Sequence, residues 1–175
     1  LFGDEKKMIE TKRLYLRELQ PSDREALSKI LQDEQTMYAY EGAFSDAEVQ
    51  AWLDKQLKSY QRNGFGLWAA VLKETGEMIG QCGLTWQELA GEQVLEIGYL
   101  FQRAFWHKGY ASEAAMACKN YAFEMLQADE VFSIIRDTNV PSQRVAERNG
   151  MTRCGEFIKH YRGIDMPHYV YSVQK

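Results

Sequence analysis

Leu14 and Leu16 alternate with polar neighbours over Thr11–Glu18, the period of a half-buried strand. Pro21 and Ser22 close it, and Ser22 with Glu25 has the S-x-x-E spacing of a capping box. Ala26, Leu27, Ile30 and Leu31 then follow at helical spacing. Ser45 with Glu48 repeats that start signal. Its apolar stripe is Val49, Trp52, Leu53, Leu57 and Tyr60, and Asn63-Gly64 is the expected stop. Short alternating segments predict strands at Phe65–Leu72, Met78–Trp86 and Val94–Phe101, with turns at Glu74–Glu77 and around Gly91; such short loops make an antiparallel meander. A long helix is predicted over Tyr110–Gln127, with Ala111, Ala114, Ala115, Cys118, Ala122 and Met125 on one face. A strand at Val131–Arg136, a short helix at Pro141–Asn149 ended by Gly150, and strands near Gly155–Tyr161 and His168–Val173 complete the chain. The order β-α-α-β-β-β-α-β-α-β-β, without repeat or linker, predicts one α+β domain with a largely antiparallel sheet and a helical crossover in its middle.

Composition narrows the class of protein. The 175 residues suit one domain, and 45% apolar with 26% charged residues is enough for a packed core. A net charge of −4 argues against a constitutive nucleic-acid binder, which needs a basic face. Cys82, Cys118 and Cys154 form no CxxC pair and read as reduced, buried thiols of a cytoplasmic protein. Apolar runs are strand-sized, short of the roughly 18 residues of a membrane span. Residues 1–7 read as a poorly ordered leader or a cloning remnant, with the domain proper over residues 8–175.

Candidate chemistry concentrates where the third meander strand, Glu96-Ile-Gly-Tyr-Leu-Phe101, leads into Trp106-His-Lys-Gly-Tyr-Ala-Ser-Glu113. A glycine-bearing turn at a helix N-terminus offers free backbone N–H groups and the positive end of the helix dipole, a fit for phosphate. Gly109 allows close approach, Ser112 adds a hydroxyl and Lys108 a charge. An ordinary N-cap, with glycine for tight packing, explains the same residues. The spacing matches neither a P-loop nor a dinucleotide fingerprint.

At this segment the sequence resembles the GCN5-related N-acetyltransferase (GNAT) superfamily, and within it the RimJ/RimL type that acetylates N-terminal amines of ribosomal proteins. The family's acetyl-CoA motif Q/R-x-x-G-x-G/A stands here as Trp106-His107-Lys108-Gly109-Tyr110-Ala111, with Trp106 in place of Gln or Arg and His107 where that branch commonly has glycine. A second match, N-x-x-S-x-x-V-x-E-x-x-G-[FM], is formed by Asn139, Ser142, Val145, Glu147, Gly150 and Met151. The opening ETKRLYLRELQPSD is a third. The resemblance implies a mixed, mostly antiparallel twisted sheet of about seven strands with helices on both faces. It also implies acetyl transfer from acetyl-CoA, as cosubstrate, to a primary amine in a ternary complex.

Such a reaction needs a base for the amine, donors for the developing oxyanion and a proton for the leaving thiolate. Glu96 is the candidate base, in a context where histone acetyltransferases of the superfamily carry their catalytic glutamate; a solvent-facing residue of an alternating strand is the competing reading. Many members use a tyrosine as acid seven residues after the Asn, but that position is Ala146 here. Ser142 is the substitute the resemblance implies, with Asn139 orienting the pantetheine end; helix capping and an Asx turn are the structural alternatives. Backbone groups of Tyr99, Leu100 and Phe101 are expected to pair with the pantetheine arm. Cofactor contacts are further expected from His107, Lys108, Gly109, Tyr110, Ala111 and Ser112.

The resemblance implies that the loop Met37–Phe44, with Glu41, borders the acceptor site and that Tyr161 with the Met166–Tyr171 end completes it; hydrophobic packing between helices is the alternative for Tyr38 and Phe44. His107, His160 and His168 have no ligand spacing, so no metal is expected. The expected partners are acetyl-CoA and an amine acceptor, either a protein N-terminus or a small molecule. Neither nucleic acid nor membrane is expected, and the protein is a monomer or homodimer. A non-catalytic acetyl-CoA-binding module of the same fold is the alternative, kept open by the missing tyrosine.

Overall fold

A computed structural model describes residues 6–40 and 42–175. One eight-stranded sheet runs in the order β1-β2-β3-β4-β5-β6-β8-β7. Its strands are β1 (Lys7–Glu10), β2 (Leu14–Arg17), β3 (Leu67–Leu72), β4 (Met78–Leu89), β5 (Glu92–Phe101), β6 (Glu130–Arg136), β7 (Thr152–Tyr161) and β8 (Ile164–Gln174). Every pairing is antiparallel except β5 with β6, which meet only at Glu96 and Phe132. That pair is parallel because α3 (Tyr110–Glu124) carries the chain from one to the other.

Helices cover both faces. Adjacent strand residues point to opposite sides, and Gln81 and Cys82 of β4 show it. Gln81 Oε1 accepts the indole N–H of Trp52 on α2 (Asp46–Asn63) at 2.9 Å, whereas Cys82 lies 3.6 Å, sulfur to sulfur, from Cys118 of α3. Trp68, fully buried on β3, packs edge-on against Tyr121 of α3. α1 (Arg24–Leu31) buries Leu27, Ile30 and Leu31, and α4 (Val140–Arg148) buries Val145 and Ala146. Cys82 and Cys118 are buried thiols as expected, but Cys154 is exposed, because β7 is an edge strand with almost no covered face.

The α2 signals hold as read. Ser45 Oγ accepts Glu48 N–H, Glu48 Oε1 accepts Ser45 N–H, and Gly64 ends the helix in the left-handed conformation. The Ser22–Glu25 box does not form. Instead Pro21–Asp23 is a 3-10 turn, the Asp23 carboxylate accepts Gln20 N–H at 2.7 Å, and Arg17 forks it at 2.7 and 2.9 Å. The eighth strand, β1, pairs Lys7 with Arg17 and so takes one residue from the expected leader; residues 1–5 lie outside the described residues. The long helix stops at Glu124 rather than Gln127, where the backbone turns left-handed at Gln127. The last two strands are longer than read, joined by a tight Arg162-Gly163 turn with positive φ at both residues.

Candidate active site

Two grooves meet over β5. One, of about 900 Å³, runs from the edge of β5 past the N-terminus of α3 to α4; the other, of about 810 Å³, lies between α2 and the β4–β5 hairpin. Tyr99 and Leu100 line both.

The first groove exists because β5 and β6 part beyond their single bridge. Past that point the freed backbone groups find side-chain partners: Ser133 Oγ donates to the Ile97 carbonyl at 2.9 Å, and Ile134 N–H donates to Glu96 Oε2 at 2.7 Å. Further along, the edge of β5 is open. The bond from Gln102 N–H to the Ile79 carbonyl fixes the phase of the β4–β5 ladder. In that phase Gly98 and Leu100 direct their amides into β4, while Ile97, Tyr99 and Phe101 direct theirs to the edge. Leu100 lines the groove with its own amide turned into β4, so of the three residues whose backbone groups were expected to pair, Tyr99 and Phe101 turn their amides to the edge. The Phe101 carbonyl accepts the Trp106 indole N–H at 2.9 Å. Trp106, at the family's Gln/Arg position, thereby clamps the motif loop to the strand.

At the head of α3, the N–H groups of Tyr110, Ala111 and Ser112 have no acceptor within the helix, whose first turn closes with Glu113 N–H to the Gly109 carbonyl at 3.0 Å. Gly109 takes φ +82°, a left-handed conformation that costs glycine little. His107 also takes positive φ, +63°, so the loop keeps a glycine-like path although the residue is not glycine. His107, Gly109, Tyr110, Ala111 and Ser112 all line the groove. Lys108 does not: its carbonyl accepts from Arg13 and its ammonium lies over the Phe105 ring, 5.6 Å from the centroid. The cations that line the groove are Arg144 and Arg148 of α4, which sequence reasoning passed over because helix-surface arginines carry no motif. The loop is braced from below. Glu113 accepts from the Thr11 hydroxyl at 2.6 Å, from Arg13 N–H at 2.9 Å and from Arg13 Nε at 2.8 Å. Burial pushes the Glu113 carboxyl up, but these donors outweigh it and hold its pKa below the usual carboxylate value.

Asn139 caps α4, its Oδ1 accepting Ser142 N–H at 3.3 Å, and the Ser142 carbonyl accepts the Tyr99 hydroxyl at 2.7 Å. The helix cap is thus Asn139, for which an Asx turn was the structural alternative, and not Ser142, for which capping was. Ser142 lines the groove, and its hydroxyl makes no hydrogen bond among the described residues. Ala146 is buried, leaving no hydroxyl at the family's tyrosine position.

Glu96 stands at the junction. It lines the second groove while its other surroundings are protein, and burial pushes its carboxyl up to about 7 against the lowering effects of Ile134 N–H and Lys159. It is therefore not a plain solvent-facing residue of an alternating strand. Tyr40, from the 3-10 segment Thr36–Tyr40, and Trp52 stand on the other side of this groove and meet edge to face, 6.1 Å between centroids. The same segment is tied across the opening: Tyr38 Oη donates to Thr138 Oγ1 at 2.9 Å and Arg136 to the Tyr38 carbonyl at 3.0 Å. Tyr161 lies close enough to act electrostatically on Tyr40, but His168 is buried beneath Phe157, ring on ring. Glu41 lies outside the described residues. Among the described residues no three His, Cys, Asp or Glu side chains gather as metal ligands, and no helix is long and apolar enough to cross a membrane.

An open strand edge, a run of free amides and two flanking arginines suit an extended amide-bearing arm ended by phosphates. Comparison with known proteins identifies the family. The acetyltransferase (GNAT) domain family matches residues 13–152. The uncharacterised protein YkkB of Bacillus subtilis is 35% identical over 168 residues, 95% of each chain. The crystal structure of a GNAT-family acetyltransferase from Bacillus anthracis superposes with a TM-score of 0.81 at 27% identity, over 95% of this chain and 97% of that one. A RimL ribosomal L7/L12 alpha-N-protein acetyltransferase, solved in complex with coenzyme A, shares the fold at a TM-score of 0.80 and 18% identity, over 97% of this chain and 98% of its own. The chain belongs to the GNAT acetyltransferase family and is an acyltransferase with a CoA-type acyl donor.

Proposed function

We propose that this protein moves an acetyl group from acetyl-CoA directly to a primary amine, with both substrates bound at once. The observation that carries this reading is the meeting of the two grooves at Tyr99 and Leu100, beside a carboxylate whose pKa sits near neutrality. Acetyl-CoA supplies the activated acetyl group as a thioester whose thiol departs. The Tyr99 and Phe101 amides hold the pantetheine arm along the β5 edge, and Tyr99 N–H is the donor for charge developing on the acyl oxygen. The amides of Tyr110, Ala111 and Ser112, with the Arg144 and Arg148 side chains, receive the pyrophosphate.

Glu96 takes the proton of the acceptor ammonium. Near pH 7 a substantial fraction is ionised and its basicity is well above that of an ordinary carboxylate, the balance general-base catalysis requires. Its contact with Ile134 N–H fixes the carboxylate and leaves its second oxygen for the amine. Ser142, positioned by the Asn139 cap and by Tyr99, gives its hydroxyl proton to the leaving sulfur, the role tyrosine fills in other members.

Release of the CoA thiol on mixing acetyl-CoA with a panel of primary amines tests the reading. Glu96→Gln is expected to lower kcat by about 10²–10³-fold with acetyl-CoA affinity nearly unchanged; a wild-type kcat removes Glu96 from the mechanism. Ser142→Ala with kcat and cofactor binding both intact would remove Ser142.

A further inference from the structure

The acceptor groove carries a charge pattern that the protein as a whole does not. On a chain of net charge −4, the α2 wall of this groove presents Lys55, Lys58 and Arg62. They stand at i, i+3 and i+7, one face of the helix, and span about 10 Å along its axis. All three are exposed, and none has a hydrogen-bond or ion-pair partner among the described residues. Asp54, the acidic residue beside them, is engaged by the Gln50 amide at 3.0 Å. The opposite wall, from β4 and β5, is neutral and polar, with Thr85, Gln87 and Gln93. The carboxylate at the reacting end, Glu96, is committed to Ile134 N–H and to the amine.

A polycationic acceptor is therefore opposed. A polyamine or an aminoglycoside would bring several ammonium groups against three unneutralised cations, where recognition calls for carboxylates. A compact single anion would reach only part of a row this long. An extended peptide advances about 3.3 Å per residue, so about three consecutive residues match the cationic row. Resting on the acetyl-transfer reading above, we propose that the acceptor is an acidic peptide N-terminus: its amine lies at Glu96 and the carboxylates that follow lie along Lys55, Lys58 and Arg62.

The experiment compares short peptides that share one N-terminal serine and differ downstream only in bearing glutamates, glutamines or lysines. At low salt the glutamate peptide is expected to exceed the glutamine peptide by about tenfold in kcat/KM, chiefly through KM, and the lysine peptide to be poorest. The advantage shrinks toward unity near 1 M salt, where the Debye length is about 3 Å. Reversing the three charges together (Lys55→Glu, Lys58→Glu, Arg62→Glu) is expected to invert the ranking; the single Lys58→Glu serves, with a smaller shift, if the triple variant does not fold. Equal use of glutamate and glutamine peptides by the wild type, or preference for lysine, overturns the proposal. Quenching of the groove tryptophans Trp52 and Trp86 by the same peptides, with CoA bound, reads the preference without turnover. Acidic binding without CoA release would sink the transfer reading and leave the charge preference standing, while turnover without charge ranking does the reverse.

Discussion

The two grooves that meet over Tyr99 are made of different material. The groove proposed for the acyl donor is largely main chain: the open edge of β5, the left-handed His107 and Gly109, and the unpaired amides opening α3. The groove proposed for the acceptor is side chain: Tyr40, Trp52, Glu96 and the cationic row of α2. A backbone site depends on conformation and tolerates exchange of many side chains, whereas a side-chain site changes its ligand with a few substitutions. One frame can therefore keep its donor while its acceptor varies.

The contrast can be broken from either side. Gly109→Val places a β-branched residue at φ +82°, with its Cβ 3.4 Å from an Arg13 nitrogen. We expect acetyl-CoA KM to rise by more than about tenfold and stability to fall by about 1–3 kcal/mol, with acceptor KM little changed, by steady-state kinetics and denaturant unfolding. Acidification strikes the other groove. With Glu96 titrating near 7, kcat/KM for the acceptor should rise about tenfold from pH 6 to pH 8 in wild type, and Glu96→Gln should flatten the profile. Stability moves oppositely: a carboxyl raised in the folded state holds its proton longer than in the unfolded chain, so folding is penalised as pH rises from the ordinary carboxylate range through 7. The melting temperature of Glu96→Gln relative to wild type is accordingly expected to increase between pH 5 and pH 8.

Glu113→Gln tests the brace beneath the cofactor loop. Loss of its charge-assisted bonds to Thr11 and Arg13 should cost about 1–3 kcal/mol at neutral pH, read by urea unfolding. Because the folded-state pKa of Glu113 is lowered, that difference is present above the ordinary carboxylate pKa and disappears as acid protonates the wild-type residue. The smallest effect belongs to Tyr99→Phe, which removes the hydroxyl bond to the Ser142 carbonyl and should cost about 1 kcal/mol. An unchanged Tyr99→Phe melting curve would show that β5 and α4 hold their separation without it.

The sequence was most legible where a local signal and its consequence lie within a few residues. The Ser45–Glu48 box and the Gly64 stop bound α2 as read, and the Gly109 turn opens α3. It misled where a distant partner competes: Ser22 and Glu25 have the spacing of a box, but Arg17 and Gln20 draw Asp23 into the role. β1 escaped notice because four residues of mixed exposure show no period, and the start of β7 was read three residues late because both its faces are wet. Lys108 brings a charge to the motif, yet it is absent from the groove lining and its ammonium lies over the Phe105 ring.

By itself the sequence determined the order of elements from β2 onward, the crossover helix after a meander, and the residue types of the loop that opens α3, since periodicity and turn chemistry are local properties. The tertiary structure alone decided what those residues face. Parting of β5 from β6 exposes the edge, supplies Ile134 N–H to Glu96 and burial to raise its pKa, and brings α2 cations and α4 arginines to two separate walls. Those are consequences of packing between segments far apart in the chain, and no local pattern encodes them.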